Sequence, residues 1–154
     1  VSSAGRLRPL RWTDLGEVVS LELRTFPTDA WDEASWWSEL AQRPRRDYTV
    51  LEGDSAALWG YAGLDLAGEV ADVMTIAVDP RRRGSGHGAR LLQHLLARAS
   101  DAGARHLMLE LRADNAPAQA LYRRFGFQVV RTRTGYYRPE GVDALVMRAE
   151  LSRA

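Results

Sequence analysis

Arg83-Gly84-Ser85-Gly86-His87-Gly88-Ala89-Arg90, running into Leu91-Leu92-Gln93-His94-Leu95-Leu96, is the stretch that decides the fold. The glycines pass directly into apolar residues at helical spacing, which predicts a helix from about Gly86 to Ala102 with Gly103 as its C-cap. A helix that starts in glycine exposes backbone N–H groups and the positive end of its dipole, so it can hold a phosphate. Three alternating glycines each lose extra backbone entropy on folding, which argues against an ordinary turn. Upstream, Val70 to Val78 reads as a near-continuous apolar strand of the kind buried on both faces. Downstream, His106 to Arg112 reads as another strand. Strand, helix and strand in that order need a parallel crossover.

The rest of the chain fills in around this unit. Leu7 to Leu10 is a first strand; Thr13 or Asp14 caps a helix that reaches Phe26 and is stopped by Pro27. Asp32 caps a second helix containing Trp36, Trp37 and Leu40, with Trp37 expected in the core. Strands follow at Tyr48 to Leu51 and Ala57 to Leu66, separated by Gly53-Asp54. Pro117 suits the first turn of a last helix, and strands at Gln128 to Thr132 and Ala144 to Ala149 finish the sheet. Strands without intervening helices in the first half imply antiparallel pairing there. The expectation is a mixed α/β (α+β) fold, mostly antiparallel, with one central parallel β-α-β crossover, forming a single domain over residues 1–154.

Composition narrows the function classes. The 154 residues are 45% hydrophobic and 27% charged, a globular balance. A formal charge of +1 gives no field for nucleic acid, and all 21 basic residues are arginine. The cysteine count of 0 removes disulfides, thiolate catalysis and cysteine-bound zinc. No apolar run approaches the roughly 20 residues of a membrane span, and Val1-Ser2-Ser3-Ala4-Gly5-Arg6 lacks a signal-peptide core. The expectation is a cytoplasmic protein, with a monomer favoured because no long apolar helix face is left over.

Two residues carry chemistry. Alternation along Leu107-Met108-Leu109-Glu110-Leu111-Arg112 sets three leucines on one face and Glu110 on the other. The carboxylate is either an acid–base group or a surface glutamate paired with Arg112. Tyr122 is either a second proton carrier or a core tyrosine beside Leu121 and Phe125. Gly84 to Ala89 also fits a G-x-G-x-x-A dinucleotide fingerprint. That reading fails because an antiparallel half precedes it and too little chain follows for a Rossmann half. No Gly-Lys-Ser/Thr is present for a phosphate loop of the nucleotide triphosphatases; His87 and His94 share a helix face by spacing, but with His106 they form no carboxylate-bearing HExxH pattern, so no metal is expected.

Val78-Asp79-Pro80 with Arg83, Gly86 and Gly88 resembles the pyrophosphate loop of the GNAT acetyltransferases. Asn115, Ala120-Leu121-Tyr122 and Phe125-Gly126-Phe127 resemble the last motif of that family. Phe26-Pro27, Trp31, the run Glu110 to Asn115, and Gly135-Tyr136-Tyr137-Arg138-Pro139 narrow the likeness to its RimI group, so the resemblance spans nearly the whole chain. It implies the GNAT fold and acetyl-CoA as cosubstrate. Gly84, Ser85, Gly86, His87, Gly88 and Ala89 would hold the pyrophosphate, with Arg81, Arg82 and Arg83 beside it. Ile76, Ala77 and Val78 would pair with the pantetheine arm, in the splay between the strands Val70 to Val78 and His106 to Arg112, and Asn115 and Tyr122 would reach the same arm. Glu110 would be the general base and Tyr122 the general acid. His87 departs from the family's usual apolar residue at its position.

The RimI likeness also implies a protein or peptide N-terminus as substrate, an alanine of a small-subunit ribosomal protein being the group's usual one. Trp31, Tyr136 and Tyr137 would wall the groove that receives it, with Asp29, Asp32 and Glu33 as an acidic rim. An α-amine, with a pKa of about 7.7–8.0, loses its proton near neutrality for about 1 kcal/mol; a lysine amine, at about 10.4, needs several times more. A carboxylate base is matched to the first. The alternatives are an enzyme of the same fold acting on a small amine or a lysine side chain, and a non-catalytic acetyl-CoA-binding module.

Overall fold

The local signals read from the sequence become elements with few displacements. A computed structural model describes residues 5–151, so Val1 to Ala4 of the N-terminal stretch read above lie outside the described residues. In chain order the elements are β1 (Arg6–Pro9), α1 (Leu15–Thr25), α2 (Glu33–Leu40), β2 (Arg46–Glu52), β3 (Leu58–Leu66), β4 (Val70–Val78), α3 (His87–Asp101), β5 (His106–Arg112), α4 (Ala116–Arg124), β6 (Gln128–Tyr137) and β7 (Val142–Glu150). Short 3-10 turns lie at Trp12–Asp14, Asp54–Ala56 and Pro80–Arg82. The seven strands run in the order β1-β2-β3-β4-β5-β7-β6. β1–β2, β2–β3, β5–β7 and β6–β7 pair antiparallel, and β4–β5 pair in parallel over Val70–Asp72 and His106–Met108. This is the mixed, mostly antiparallel sheet with one crossover that the element order implies.

The chain divides into two compact units, 5–65 with 74–95 and 66–73 with 96–151. In the first, Leu15, Val18 and Leu21 of α1 and Trp36 and Leu40 of α2 join Tyr48, Val50, Leu58 and Tyr61 of the sheet in one core cluster. Trp36 is fully buried and meets the rings of Tyr48 and Tyr61 edge-on, at 5.2 and 5.4 Å. Asp32 caps α2 by accepting a hydrogen bond from Ser35 N–H at 2.8 Å. Gly60 lets β3 lie close to its neighbours, since a Cβ there would stand 2.6 Å from the carbonyl oxygen of Ala77.

In the second unit, Leu107, Leu109 and Leu111 of β5 are buried and Glu110 between them is exposed, as alternation requires. Asn115 caps α4 by accepting from Ala118 N–H at 3.2 Å, with Pro117 in the first turn. Gly103, at φ 91°, ends α3 in the left-handed conformation expected of it.

Four readings need correction. Trp37 is 45% exposed and stacks on Trp12 at 6.3 Å instead of packing in the core; Trp36, in phase with Leu40, takes the buried place. Asp14 does not cap α1 through its side chain, because its carboxylate is held by Arg8 at 2.8 and 2.9 Å and by Arg11 N–H at 2.8 Å. β6 runs on past Thr132 to Tyr137, carried by its ladder to β7 through a bulge between Arg133 and Tyr137. β4 is not buried throughout: Val70 is 44% exposed and Asp72 is exposed.

Candidate active site

The glycine loop belongs to the first unit and grows out of the end of β4. Asp79 N–H donates to the Trp59 carbonyl oxygen at 2.8 Å, and its carboxylate accepts from Arg81 N–H at 2.9 Å, which shapes the turn Pro80–Arg82. The side chain of Arg81 at 2.8 Å, with burial opposing it and Arg24 adding to it, holds the Asp79 carboxyl down at about 2. Gly84 and Gly86 then take φ of 84° and 80°, which only glycine adopts without strain, although a Cβ at either would meet open space. They are therefore needed for the direction of the chain and not for room.

Helical hydrogen bonding begins with Arg90 N–H donating to Gly86 O at 3.1 Å. The N–H groups of His87, Gly88 and Ala89 ahead of it have no acceptor within the helix, the arrangement that receives an anion. Ile76 and Val78 are half-buried, Ala77 is buried, and Arg83, Gly84 and Ser85 are exposed.

One residue the sequence did not flag organises this loop. The buried indole of Trp59 on β3 carries the Arg82 guanidinium at 4.6 Å and the His87 ring at 5.1 Å. His87 therefore does the packing of the apolar residue it replaces. Burial, aided by Arg90 and Arg82, pushes its pKa below 6.5, so the ring is held neutral. Of the three arginines expected beside the pyrophosphate, Arg81 is tied to Asp79 and Arg82 to Trp59, while Arg83 is exposed.

Also in the first unit, Trp31 packs its ring on Trp36 at 5.0 Å and lines a groove of about 260 Å³ with Ser35, Ser38, Glu39 and Met74. Drug-sized ligands use pockets of about 300–1,000 Å³, so this groove suits one side chain better than a whole small molecule. Trp31 is anchored from below. Its N–H donates to the carboxylate of Glu22 at 2.8 Å, and the same buried carboxylate accepts from the Tyr61 hydroxyl. Burial and the nearby carboxylate push the Tyr61 phenol up, which keeps it a donor.

The second unit holds the acid–base candidates. Glu110 pairs with Arg133 of β6, Nε to Oε1 at 2.5 Å, whereas Arg112, its partner in the plain surface reading, goes to Asp114 at 3.1 Å. Tyr122 is buried with its ring 5.9 Å from Phe127, and burial pushes its phenol up to about 12. The phenol thus keeps its proton throughout the neutral range. Tyr136, half exposed, meets Tyr137 edge-on at 5.2 Å; Arg133 lies over Tyr136 at 5.5 Å and Arg112 over Tyr137 at 5.2 Å. Glu110, Arg133, Tyr136, Tyr137 and Arg112 therefore form one continuous line of contacts. Asn115 is engaged as the cap of α4.

The histidines are dispersed: His94 contacts the Thr49 hydroxyl at 3.2 Å and His106 the Glu150 carboxylate at 3.0 Å. Among the described residues no group of three or more His, Cys, Asp or Glu is placed to hold a metal ion.

The start of α3 in the first unit presents N–H groups without helical acceptors, and the second unit carries an exposed carboxylate, Glu110, and a buried tyrosine, Tyr122. The chain belongs to the acetyltransferase (GNAT) family, whose model matches residues 12–127, and it is an N-acetyltransferase of the RimI type. It is 40% identical over 142 residues to the N-alpha-acetyltransferase RimI of Mycobacterium tuberculosis, covering 89% of this chain and 87% of the other. It is 34% identical over 147 residues to the [ribosomal protein bS18]-alanine N-acetyltransferase of Escherichia coli, covering 93% and 95%. The crystal structure of the Escherichia coli ribosomal-protein-S18-alanine N-acetyltransferase superposes with a TM-score of 0.88 at 32% identity, over 97% of this chain and 96% of that one.

Proposed function

We propose that the protein transfers the acetyl group of acetyl-CoA to the α-amine of a protein N-terminus, the N-terminal alanine of ribosomal protein bS18 being the first substrate to test. The observation that carries this reading is Glu110: an exposed carboxylate on a strand whose flanking leucines are buried, in line with the two tyrosines expected at the substrate groove. The names of the Mycobacterium and Escherichia relatives support the substrate class.

In this reading the N–H groups at the start of α3 hold the pyrophosphate, with the backbone of Ile76, Ala77 and Val78 along the pantetheine arm. The amine gives a proton to Glu110, directly or through water. Its lone pair attacks the thioester carbon; the new N–C bond forms as the C–S bond breaks, the electron pair leaves on sulfur, and the surplus proton of the acetylated nitrogen passes to that thiolate to give the amide and the CoA thiol. A backbone N–H near Val78 polarises the acetyl oxygen.

Tyr122 meets the departing thiolate. A phenol at about 12 cannot pass its proton completely to a thiolate whose own pKa is about 8.5 without an uphill step of several kcal/mol. The tyrosine therefore stabilises the leaving group chiefly by a strong hydrogen bond. No acyl-enzyme is invoked. The groove at Trp31 is assigned to peptide binding within the first unit.

The deciding experiment offers acetyl-CoA with two peptides and reads the products by mass spectrometry. One peptide has a free N-terminal alanine and no lysine; the other has a blocked N-terminus and an internal lysine. Acetylation of the first alone, lost in Glu110→Gln with acetyl-CoA binding intact, is the expected result. Labelling of the lysine peptide instead, or of neither, overturns it and redirects the assignment to lysine or small amines.

A further inference from the structure

Glu110 has a partner that sequence spacing could not reveal. Arg133 lies on β6, two strands away across β7; its register partner Ala144 pairs with Arg112, two residues along β5 from Glu110, whose own partner is Val146. The guanidinium Nε stands 2.5 Å from Glu110 Oε1, yet this buried N–H makes no aligned hydrogen bond there. The two side chains are 40% and 34% exposed. A partly exposed ion pair of this kind contributes little net free energy and can be exchanged for another cation. On its other side the same guanidinium lies over the Tyr136 ring at 5.5 Å.

We propose that Arg133 is a positioning residue of the transfer site, a placeholder cation that the substrate's ammonium group displaces from Glu110. The inference rests on the reading of Glu110 as the base. The arriving α-ammonium carries the same single charge as the guanidinium it replaces, so the exchange leaves no net charge unpaired. Arg133 stays against Tyr136 when it yields the carboxylate. The substrate N–H bond then breaks as an O–H bond forms on Glu110, and Arg133 keeps its charge throughout. In the resting protein the arginine keeps the carboxylate aimed.

The test is steady-state kinetics of Arg133→Met, Arg133→Gln and Arg133→Lys, with saturating acetyl-CoA and a peptide bearing a free N-terminal alanine. With nothing to displace, the two neutral variants bind the amine better, and their KM falls by about twofold to fivefold, the range of a half-exposed ion pair. Their kcat falls because the carboxylate is no longer aimed, and Arg133→Lys returns both constants toward wild type. Two neutral side chains of different polarity guard against a single variant that fails to fold. Unchanged constants in the neutral variants overturn the proposal. So does an equal loss of kcat in all three with KM unmoved, which marks a packing role. If Glu110→Gln keeps the wild-type rate, the base reading itself fails. If Glu110→Gln is inactive and the Arg133 variants behave as wild type, only the present inference fails.

Discussion

At Tyr122 one number separates two roles. A phenol raised to about 12 by burial is a secure hydrogen-bond donor and a reluctant acid. Tyr122→Phe keeps the ring against Phe127 and removes only the hydroxyl, so the fold should hold while kcat drops about 10²-fold, the usual loss for one donor to a developing anion. Rapid-quench turnover compared with wild type reads this. A variant within twofold of wild type would give the hydroxyl no part in the reaction. Glu22 offers a second residue-scale test. Its two oxygens accept from Trp31 N–H and from the Tyr61 hydroxyl, and glutamine can accept with only one. Glu22→Gln should lose about 1–3 kcal/mol of stability and raise the peptide KM, with acetyl-CoA affinity unchanged by calorimetry. Loss of both affinities would place its effect beyond the Trp31 segment.

His87 makes the start of α3 sensitive to acid. His87 is neutral in the fold and its pKa there lies below 6.5, so the unfolded chain takes up the proton first. Stability is full above that value and declines as the pH falls through and below it. Thermal melts from pH 8 to pH 5 should show the decline in wild type and a flatter curve in His87→Leu, which keeps an apolar body against Trp59. Parallel curves would remove His87 as the cause.

Elements were legible wherever composition and geometry agreed. β4 and β5 have the bounds read from the sequence because each is a run of apolar residues between turn signals. The second half of β6 was not legible. Arg131-Thr132-Arg133-Thr134 shows no apolar alternation, and only the ladder to β7, with its bulge and Gly135 at φ 62°, extends the strand to the tyrosines. Two neighbouring tryptophans on a helix cannot share a face, and the phase of Leu40 already favoured Trp36 over Trp37 for the core. In the candidate site, the glycines, Glu110 and Tyr122 announce themselves by type and spacing. Arg133 and Trp59 do not, because each acts through a contact between strands that no local pattern records.

Across the whole molecule, a chain without lysine makes its lysine/arginine-type ion pairs with guanidinium groups alone. Asp79, Asp65, Asp114 and Glu52 are each held below the usual carboxylate range, by hydrogen bonds first from Arg81, Arg45, Arg112 and Arg8 respectively. Their folded pKa values lie under the unfolded ones, so their contribution is present above about pH 4 and fades as the pH falls toward that of Asp79, about 2. Acid unfolding should therefore shift to higher pH in 1 M salt, which screens the exposed pairs; an unmoved midpoint would deny them a role. The molecule also carries its own lamp. Trp12 and Trp37 face solvent, while Trp36 and Trp59 are buried, so iodide will darken the first two and spare the second two. What still shines includes the indole in contact with Arg82 and His87, and if a phosphate settles on the neighbouring glycines, as proposed, it can be followed as a change of colour and brightness, with no label attached.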